Sequence, residues 1–404
     1  MKKLKAFLIV ACLCAGSAYG QKAKVQTAYN FYKEPYQQYD KAKQAIDEAI
    51  LHEQTASMAK TWYYRGLIYQ ALYKNQKYGD LCDNCLMTAY EAYERAIQID
   101  PENEWITDIK EIRMRNLANN FIIIGNDAFQ IKDYNTALSN FEIVYKIAPE
   151  DTTVLLYCAY SAEGAANYEK AKKYYKQLID MHYKDDNMYN RLSLLYLTVD
   201  NDPEKALSVI RDGRKLYPDS MSLLTTEIQL LLNTKRNSEA TDLLVLATQR
   251  DPNNANLFTV LGSTYSTLAN PVDAEGKPLP QPADYAELMQ KSEEAYKKGL
   301  ALNPENYLLN YNIGTFYFNK GAEIKNRANK LESNSAYEKE KEKFDKLFHE
   351  AEPYFQKALD NNPKKTEEDH QTYADTLNSL KALYAQTGET EKYNKVKALQ
   401  QSGE

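Results

Sequence analysis

The sequence predicts an all-α protein made of repeated antiparallel helix pairs, and three observations carry that prediction. Glycine and proline are scarce, at 14 and 13 of 404 residues, so helix breakers are few. Small and apolar residues recur at helical spacing, as in Phe121, Ile124, Gly125 and Ala128 followed by Ala137 and Phe141. The pattern also returns at a fixed period closed by proline, with Pro218 and Pro252 separated by 34 residues. A chain this long has usually outgrown a single core, which also favours an array.

The first segment is not part of that array. Lys2, Lys3 and Lys5 precede the apolar run Ala6 to Cys14, and Ala18-Tyr19-Gly20 presents small residues at the two sites a signal peptidase inspects. Residues 1–20 therefore read as a signal peptide cut before Gln21, which places the mature chain in the periplasm or another exported compartment. The apolar run falls far short of the roughly 20 residues that span a bilayer. The rival reading is a lipid anchor at Cys12, because Ile9-Val10-Ala11-Cys12 loosely resembles a bacterial lipobox. Cleavage there leaves only Ala6 to Ala11 as apolar core, against the roughly 7 to 15 residues expected. Loss of 1–20 removes three lysines and no acids, so the net charge goes from −6 to −9. Without a basic patch, that balance speaks against nucleic acid.

The repeat units follow in order. Residues 21–58 form an N-terminal helical unit, with Ala42, Ile46 and Ala49 on one stripe. Trp62, Arg65, Gly66 and Tyr69 then supply a first helix, and Ala89, Tyr93, Ala96 and Pro101 the second. The unit of Gly125, Phe141 and Pro149 comes next, its first helix lengthened by Glu104 to Asn116. Later units are marked by Leu155, Ala159, Ala162, Ala171 and Tyr175, by Leu194, Ala206, Ile210 and Pro218, and by Leu224, Ala240, Leu244, Ala247 and Pro252. Two more close at Pro304 and Pro363, and Leu377, Leu380 and Tyr384 begin a C-terminal helical cap over 364–404. The surplus spacing falls between the two helices of a unit, giving three insertions at about 73–85, 270–284 and 320–349. Pro271, Pro278, Pro280 and Pro282 stiffen the second. In the third, Ile324, Ala328 and Leu331 face Phe344, Leu347, Phe348 and Ala351 as a helical hairpin, with Pro353 expected to kink the return.

The pattern W-x2-L-G-x2-Y, then A-x3-F, then P resembles the tetratricopeptide repeat, with Trp62, Gly66, Tyr69, Ala89, Tyr93, Ala96 and Pro101 as the best single match. Seven units over 59–363 share one phase, although Arg65, Leu194 and Ile228 replace consensus residues and Tyr183 stands where a closing proline is expected. The resemblance implies a right-handed superhelical solenoid of about eight to nine units, its concave face lined by first helices.

Chemistry is sparse. His52, His182, His349 and His370 lie in different units, and no zinc-protease, nucleophile-elbow, phosphate-loop or dinucleotide motif occurs. No enzyme, cofactor or metal is therefore expected. Cys82-Asp83-Asn84-Cys85 is the one reactive-looking motif. Its redox reading needs a strand-helix-strand setting, its metal reading needs ligands from a second chain, and its disulfide reading needs only a turn in an oxidising compartment. The disulfide Cys82–Cys85 is the reading adopted. Cys158, beside Leu155, Leu156 and Ala159, reads as a buried inert thiol.

As the resemblance implies, residues three before, one after and four after each small-residue position line the groove. Of these 21 positions only Glu163 and Arg191 are charged, where the chain average of 26% predicts about five. Five are aromatic, namely Tyr63, Phe129, Tyr160, Tyr311 and Phe318. With Arg191, they are the candidate partner-binding residues. A neutral, aromatic-dotted groove suits an extended chain or helix held by side-chain contacts, unless the rings pack between first helices or the groove holds the chain's own segment. The function expected is a non-catalytic protein-binding scaffold or adaptor of the bacterial cell envelope, with a protein or peptide partner and an association with outer-membrane proteins. The alternative is a glycan- or solute-binding component of an outer-membrane uptake system.

Overall fold

The computed structural model describes residues 22–402, so the expected signal peptide and cleavage site, and the rival anchor at Cys12, lie outside the described residues. The described residues divide into two compact units, one ending at Met188 and the other beginning at Tyr189. Both are all-helical among the described residues, apart from one isolated antiparallel bridge between Val272 and Pro278.

In the first unit, α1 (residues 22–32) and α2 (Tyr39–Ala49) precede a single turn, α3 (Glu53–Ala56). Three antiparallel pairs follow: α4 (Ala59–Leu72) with α5 (Cys85–Ile99), α6 (Met114–Gln130) with α7 (Tyr134–Ile147), and α8 (Thr152–Gly164) with α9 (Tyr168–Asp180). The predicted lengthening of α6 is present: a π-helical stretch, Asp108–Arg113, runs directly into it. The second unit begins within α10 (Asn187–Thr198). It continues with α11 (Pro203–Leu216), α12 (Met221–Asn233) with α13 (Asn237–Arg250), and α14 (Ala255–Ala269) with α15 (Tyr285–Leu302). Then come α16 (Tyr307–Ala328) with α17 (Asn334–Asp360), and α18 (Glu367–Thr387) with α19 (Thr390–Ser402).

The local chemistry explains the boundaries. Asp133, Asp151, Asn167, Asp202, Ser220, Asn254 and Asn306 sit at N-caps, where their side chains accept backbone N–H groups that have no helical partner. Pro203 occupies the first turn of α11, where its missing N–H costs nothing. Within pairs, small residues allow close approach. A Cβ on Gly66 would stand 2.3 Å from the Tyr93 ring, and Gly125, Gly262 and Gly314 face Phe141, Tyr296 and Phe355 in the same way. Tyr93, Phe141, Tyr175 and Phe355 are fully buried, and each such side chain contributes roughly 2–3 kcal/mol. Tyr93 keeps its hydroxyl satisfied by donating to Gln70 Oε1 at 2.8 Å.

The third insertion is not a separate module. Residues 320–349 are the end of α16 and the first half of α17, two long helices that extend their own pair. Ala328, Phe344, Phe348 and Ala351 are buried along it, whereas Leu331 is exposed. The helix α17 runs as one element through Pro353.

Candidate partner-binding face

Tyr63, Phe129 and Tyr160 lie in the first unit and Arg191, Tyr311 and Phe318 in the second, and each is described within its own unit. Tyr63 is a correction: it is only 8% exposed, its ring stacks on Trp105 with centroids 5.2 Å apart, and its hydroxyl donates to Asp108 Oδ2 at 2.8 Å. Arg113 Nε donates to the same oxygen at 2.8 Å. Burial and the neighbouring Asp108 carboxylate push the Tyr63 phenol well above its ordinary range. Tyr29 of α1 stacks on Tyr64 at 4.4 Å, so tyrosines from the N-terminal unit and the segment before α6 pack over this part of α4. The chain's own residues thus fill this end of the expected groove.

Phe129 and Tyr160 are half-buried in the same unit. Phe129 packs edge-on to Tyr134 and Tyr157, and Tyr160 lies beside Tyr175 at 6.3 Å. The Tyr175 hydroxyl donates to Glu163 Oε2 at 2.5 Å.

Arg191 is corrected by a shift of register. Leu194, placed at the close-approach position, is 50% exposed, whereas Ser193 is 1% exposed and Leu195 is buried. The cause is the turn after α10. Residues 199–202 number four, with Asn201 at φ 51°, while the equivalent turns 131–133 and 165–167 have three. One extra residue moves the small position from 194 to 193, and the corresponding first-helix positions of α10 become Asn190, Leu194 and Leu197, of which Leu194 is exposed and the other two half-buried. Ser193 carried the signal, since it is the small residue of that helix at the required place.

Tyr311 and Phe318 sit half-buried on α16. Tyr311 lies 6.3 Å from Phe355, and Phe318 lies 5.4 Å from Phe348 and packs against the core of this unit. Phe318 is therefore largely a core residue.

With the register corrected, the first-helix positions of the second unit carry no charge across α10, α12, α14 and α16. They comprise Asn190, Leu194 and Leu197; Thr225, Gln229 and Leu232; Thr259, Ser263 and Ser266; and Tyr311, Thr315 and Phe318. Asn190 Nδ2 donates to Ser222 Oγ at 2.9 Å, tying α10 to α12, and Gln229 Nε2 donates to Asn233 Oδ1 at 2.9 Å. Thr225, Gln229 and Ser263 are exposed. Charge is held elsewhere. Glu227, buried on the opposite side of α12, accepts from Arg211 Nε at 2.8 Å and from Arg214 Nη1. Arg211 also reaches Glu239 at 2.8 Å, and Arg236 binds Glu239 and Glu204.

Two other groups bear on chemistry. Cys82 and Cys85 are paired, with Cα atoms 5.4 Å apart at the start of α5, and Cys158 is a buried free cysteine whose thiol burial pushes up to about 12. His349, Glu352 and Glu389 bring ligand atoms within 4.8 Å of one another, a cluster not foreseen because Glu389 enters from the turn after α18. Its cationic position is taken by Lys392, whose Nζ donates to Glu352 at 2.7 Å and to Glu389 at 2.6 Å.

A family model described as tetratricopeptide repeat matches residues 158–221. Among solved structures, the chain is similar to the C-terminal part of a TPR repeat-containing protein from Cytophaga hutchinsonii, at 12% identity over 67% of this chain and 91% of that one, with a TM-score of 0.48. It is also similar to a TPR repeats protein from Bacteroides fragilis NCTC 9343, at 21% identity over 64% and 97%, TM-score 0.30. A third is YrrB, described as a TPR protein with an unusual peptide-binding site, at 18% identity over 55% and 96%, TM-score 0.34. No curated protein matches the chain.

Proposed function

Proceeding from a chain that carries tetratricopeptide repeats, a fold that serves in general as a protein-binding scaffold, we propose that it is a non-catalytic adaptor of the bacterial cell envelope. It holds an extended partner segment on the first-helix face of the second unit. The observation that carries this reading is the uncharged face running through Asn190, Leu194, Thr225, Gln229 and Ser263, in a chain where a quarter of all residues are charged. Peptide amides and small side chains can be matched there without desolvating a charge. On the other side of α12, Glu227 gathers the charges of Arg211 and Arg214. The envelope address is supported by Lys2, Lys3 and Lys5, the apolar run and Ala18-Tyr19-Gly20, and it makes outer-membrane proteins the class of partner to seek. The glycan-binding alternative would need an aromatic pair open to a sugar ring. Tyr63 and Trp105 instead cover each other's faces.

The test is in-cell photocrosslinking with a benzophenone side chain at Gln229 or Ser263, and at Lys298 on α15 as control. Gln229 and Ser263 should give the same adduct, and Lys298 none. Adducts from Lys298 alone would reject the face.

A further inference from the structure

We propose that the proline-rich segment 270–284 forms one wall of an anchor pocket, which takes a short apolar stretch of an extended partner peptide at the edge of the neutral face. This rests on the reading above and adds where the partner is gripped, and by what chemistry.

The segment is built to keep its shape. Asp273 N donates to Lys277 O at 2.9 Å, Leu279 N donates to Pro271 O at 2.9 Å, and Val272 bridges Pro278. The Asp273 carboxylate closes the turn by accepting from the backbone N–H groups of Glu275 and Lys277, both at 2.9 Å, and Gly276 turns the chain at φ +80°. Pro271, Pro278, Pro280 and Pro282 fix four more φ angles. A wall ordered in advance loses little entropy when a ligand arrives. A connection between α14 and α15 needs only the three residues that join α12 to α13. This one is far longer, and it leaves Val272 55% and Leu279 46% exposed.

Val272 borders a cavity of about 620 Å³, within the range of roughly 300–1,000 Å³ that holds small ligands. Leu232, Leu268, Pro271 and Val272 give it an apolar lining, and Lys235 to Glu239, the end of the turn and the start of α13, borders the other side. Leu232 is itself one of the neutral-face positions, so the cavity continues that face. Arg236 brings no open charge to the wall, because Glu239 holds it at 2.6 and 2.9 Å and Glu204 at 3.1 Å. Lys235 stands exposed at the rim, with φ 59°. This charge pattern selects an apolar anchor flanked by uncharged or acidic residues and disfavours a basic flank.

The probe is a random-peptide library displayed on phage, selected on the purified exported protein and followed by synthesis of the enriched peptides. Enriched peptides should share a short aliphatic or aromatic stretch without adjacent lysine or arginine. Val272→Asp, on an exposed side chain, should keep the melting temperature and weaken these peptides at least tenfold. Gln229→Lys reports on the underlying face. If Gln229→Lys weakens binding and Val272→Asp does not, the pocket is rejected and the face stands. If neither variant matters, or no peptide is enriched, both are rejected. If only Val272→Asp weakens binding, the pocket stands alone and the face reading falls. If Val272→Asp converts a dimer to monomer in sedimentation, a second copy is the occupant and the peptide proposal is overturned.

Discussion

The ring of Tyr63 lies nearly parallel to Trp105, with planes 13° apart, while its hydroxyl donates to Asp108. The α4 residue is thereby fixed by a tryptophan and an acid that arrive 42 and 45 positions later in the chain. Truncating either ring removes apolar burial and leaves space that its neighbours fill only in part. Trp105→Ala and Tyr63→Ala should each cost about 3 kcal/mol, read as a fall in unfolding free energy of the full chain in urea. Unchanged stability of Tyr63→Ala would return that residue to the list of binding candidates.

Register in α10 can be tested by exchanging two adjacent positions. Ser193 is enclosed and Leu194 faces solvent. Ser193→Leu should overpack the pair and cost about 1–3 kcal/mol, whereas Leu194→Ser should stay within about 0.5 kcal/mol. The reverse ranking in thermal denaturation would restore the original phase, and Arg191 with it.

These two cases show what the sequence could and could not specify. The pairing rule, a small residue opposite a large one, is written in Gly66 and Tyr93 or Gly125 and Phe141, because both partners share one local repeat. The occupancy of the α4 face was not legible. It depends on Tyr29 of α1 and on Trp105, which lie outside the repeat's periodicity. Leu194 misled because an apolar residue at a periodic position mimics a core residue. Only the extra residue of the turn 199–202 reveals the slip. The long helices α16 and α17 were legible as a hairpin, since both stripes are apolar, but not as a continuation of their own pair.

Asp369 anchors the start of α18. Its carboxylate accepts from the Tyr307 hydroxyl at 2.5 Å and from the backbone N–H groups of Thr366 and Lys365 at 2.9 and 3.0 Å, and the Thr366 side chain completes a capping box. The Tyr307 hydrogen bond, then these backbone bonds, lower its pKa to about 2. A lowered folded-state pKa stabilises the fold above the unfolded value of roughly 3.9, and that contribution disappears as pH falls towards about 2. Asp369→Asn should therefore be less stable than the parent at pH 6, with the gap closing between roughly pH 4 and 2. A gap constant across that window in parallel urea titrations would reject the assignment.

The cysteines make a counting experiment. With Cys82 joined to Cys85, the chain from Gln21 contains one free thiol, Cys158, and burial keeps it protonated at neutral pH. Native alkylation at pH 7.5 should label nothing, and denaturation without reductant should expose one site. Intact mass of the exported protein checks the start at Gln21 in the same sample. Three labelled sites on a chain of that mass would mean the pair is reduced.

Glu227 is the acid on which the charge pattern of the second unit turns. It is buried, with Arg211 at 2.8 Å on one oxygen and Arg214 on the other, and hydrogen bonding to Glu227 raises the Arg211 pKa further. Removing one member of a buried ion pair strands the rest without compensation, which typically costs about 3–5 kcal/mol. Arg211 is partly open to water and can turn to Glu239, so Glu227→Gln belongs at the lower end, about 3 kcal/mol. Arg214 has less freedom: its Nε is enclosed without a hydrogen-bond partner. Arg214→Leu in the Glu227→Gln background should therefore recover part of the loss, because it removes the stranded cation. Salt should change the Glu227→Gln penalty little, since enclosed charges are weakly screened. Urea unfolding of the two variants at low and high salt decides the matter. A penalty below 1 kcal/mol, or one abolished by salt, would show that the arginines solvate freely.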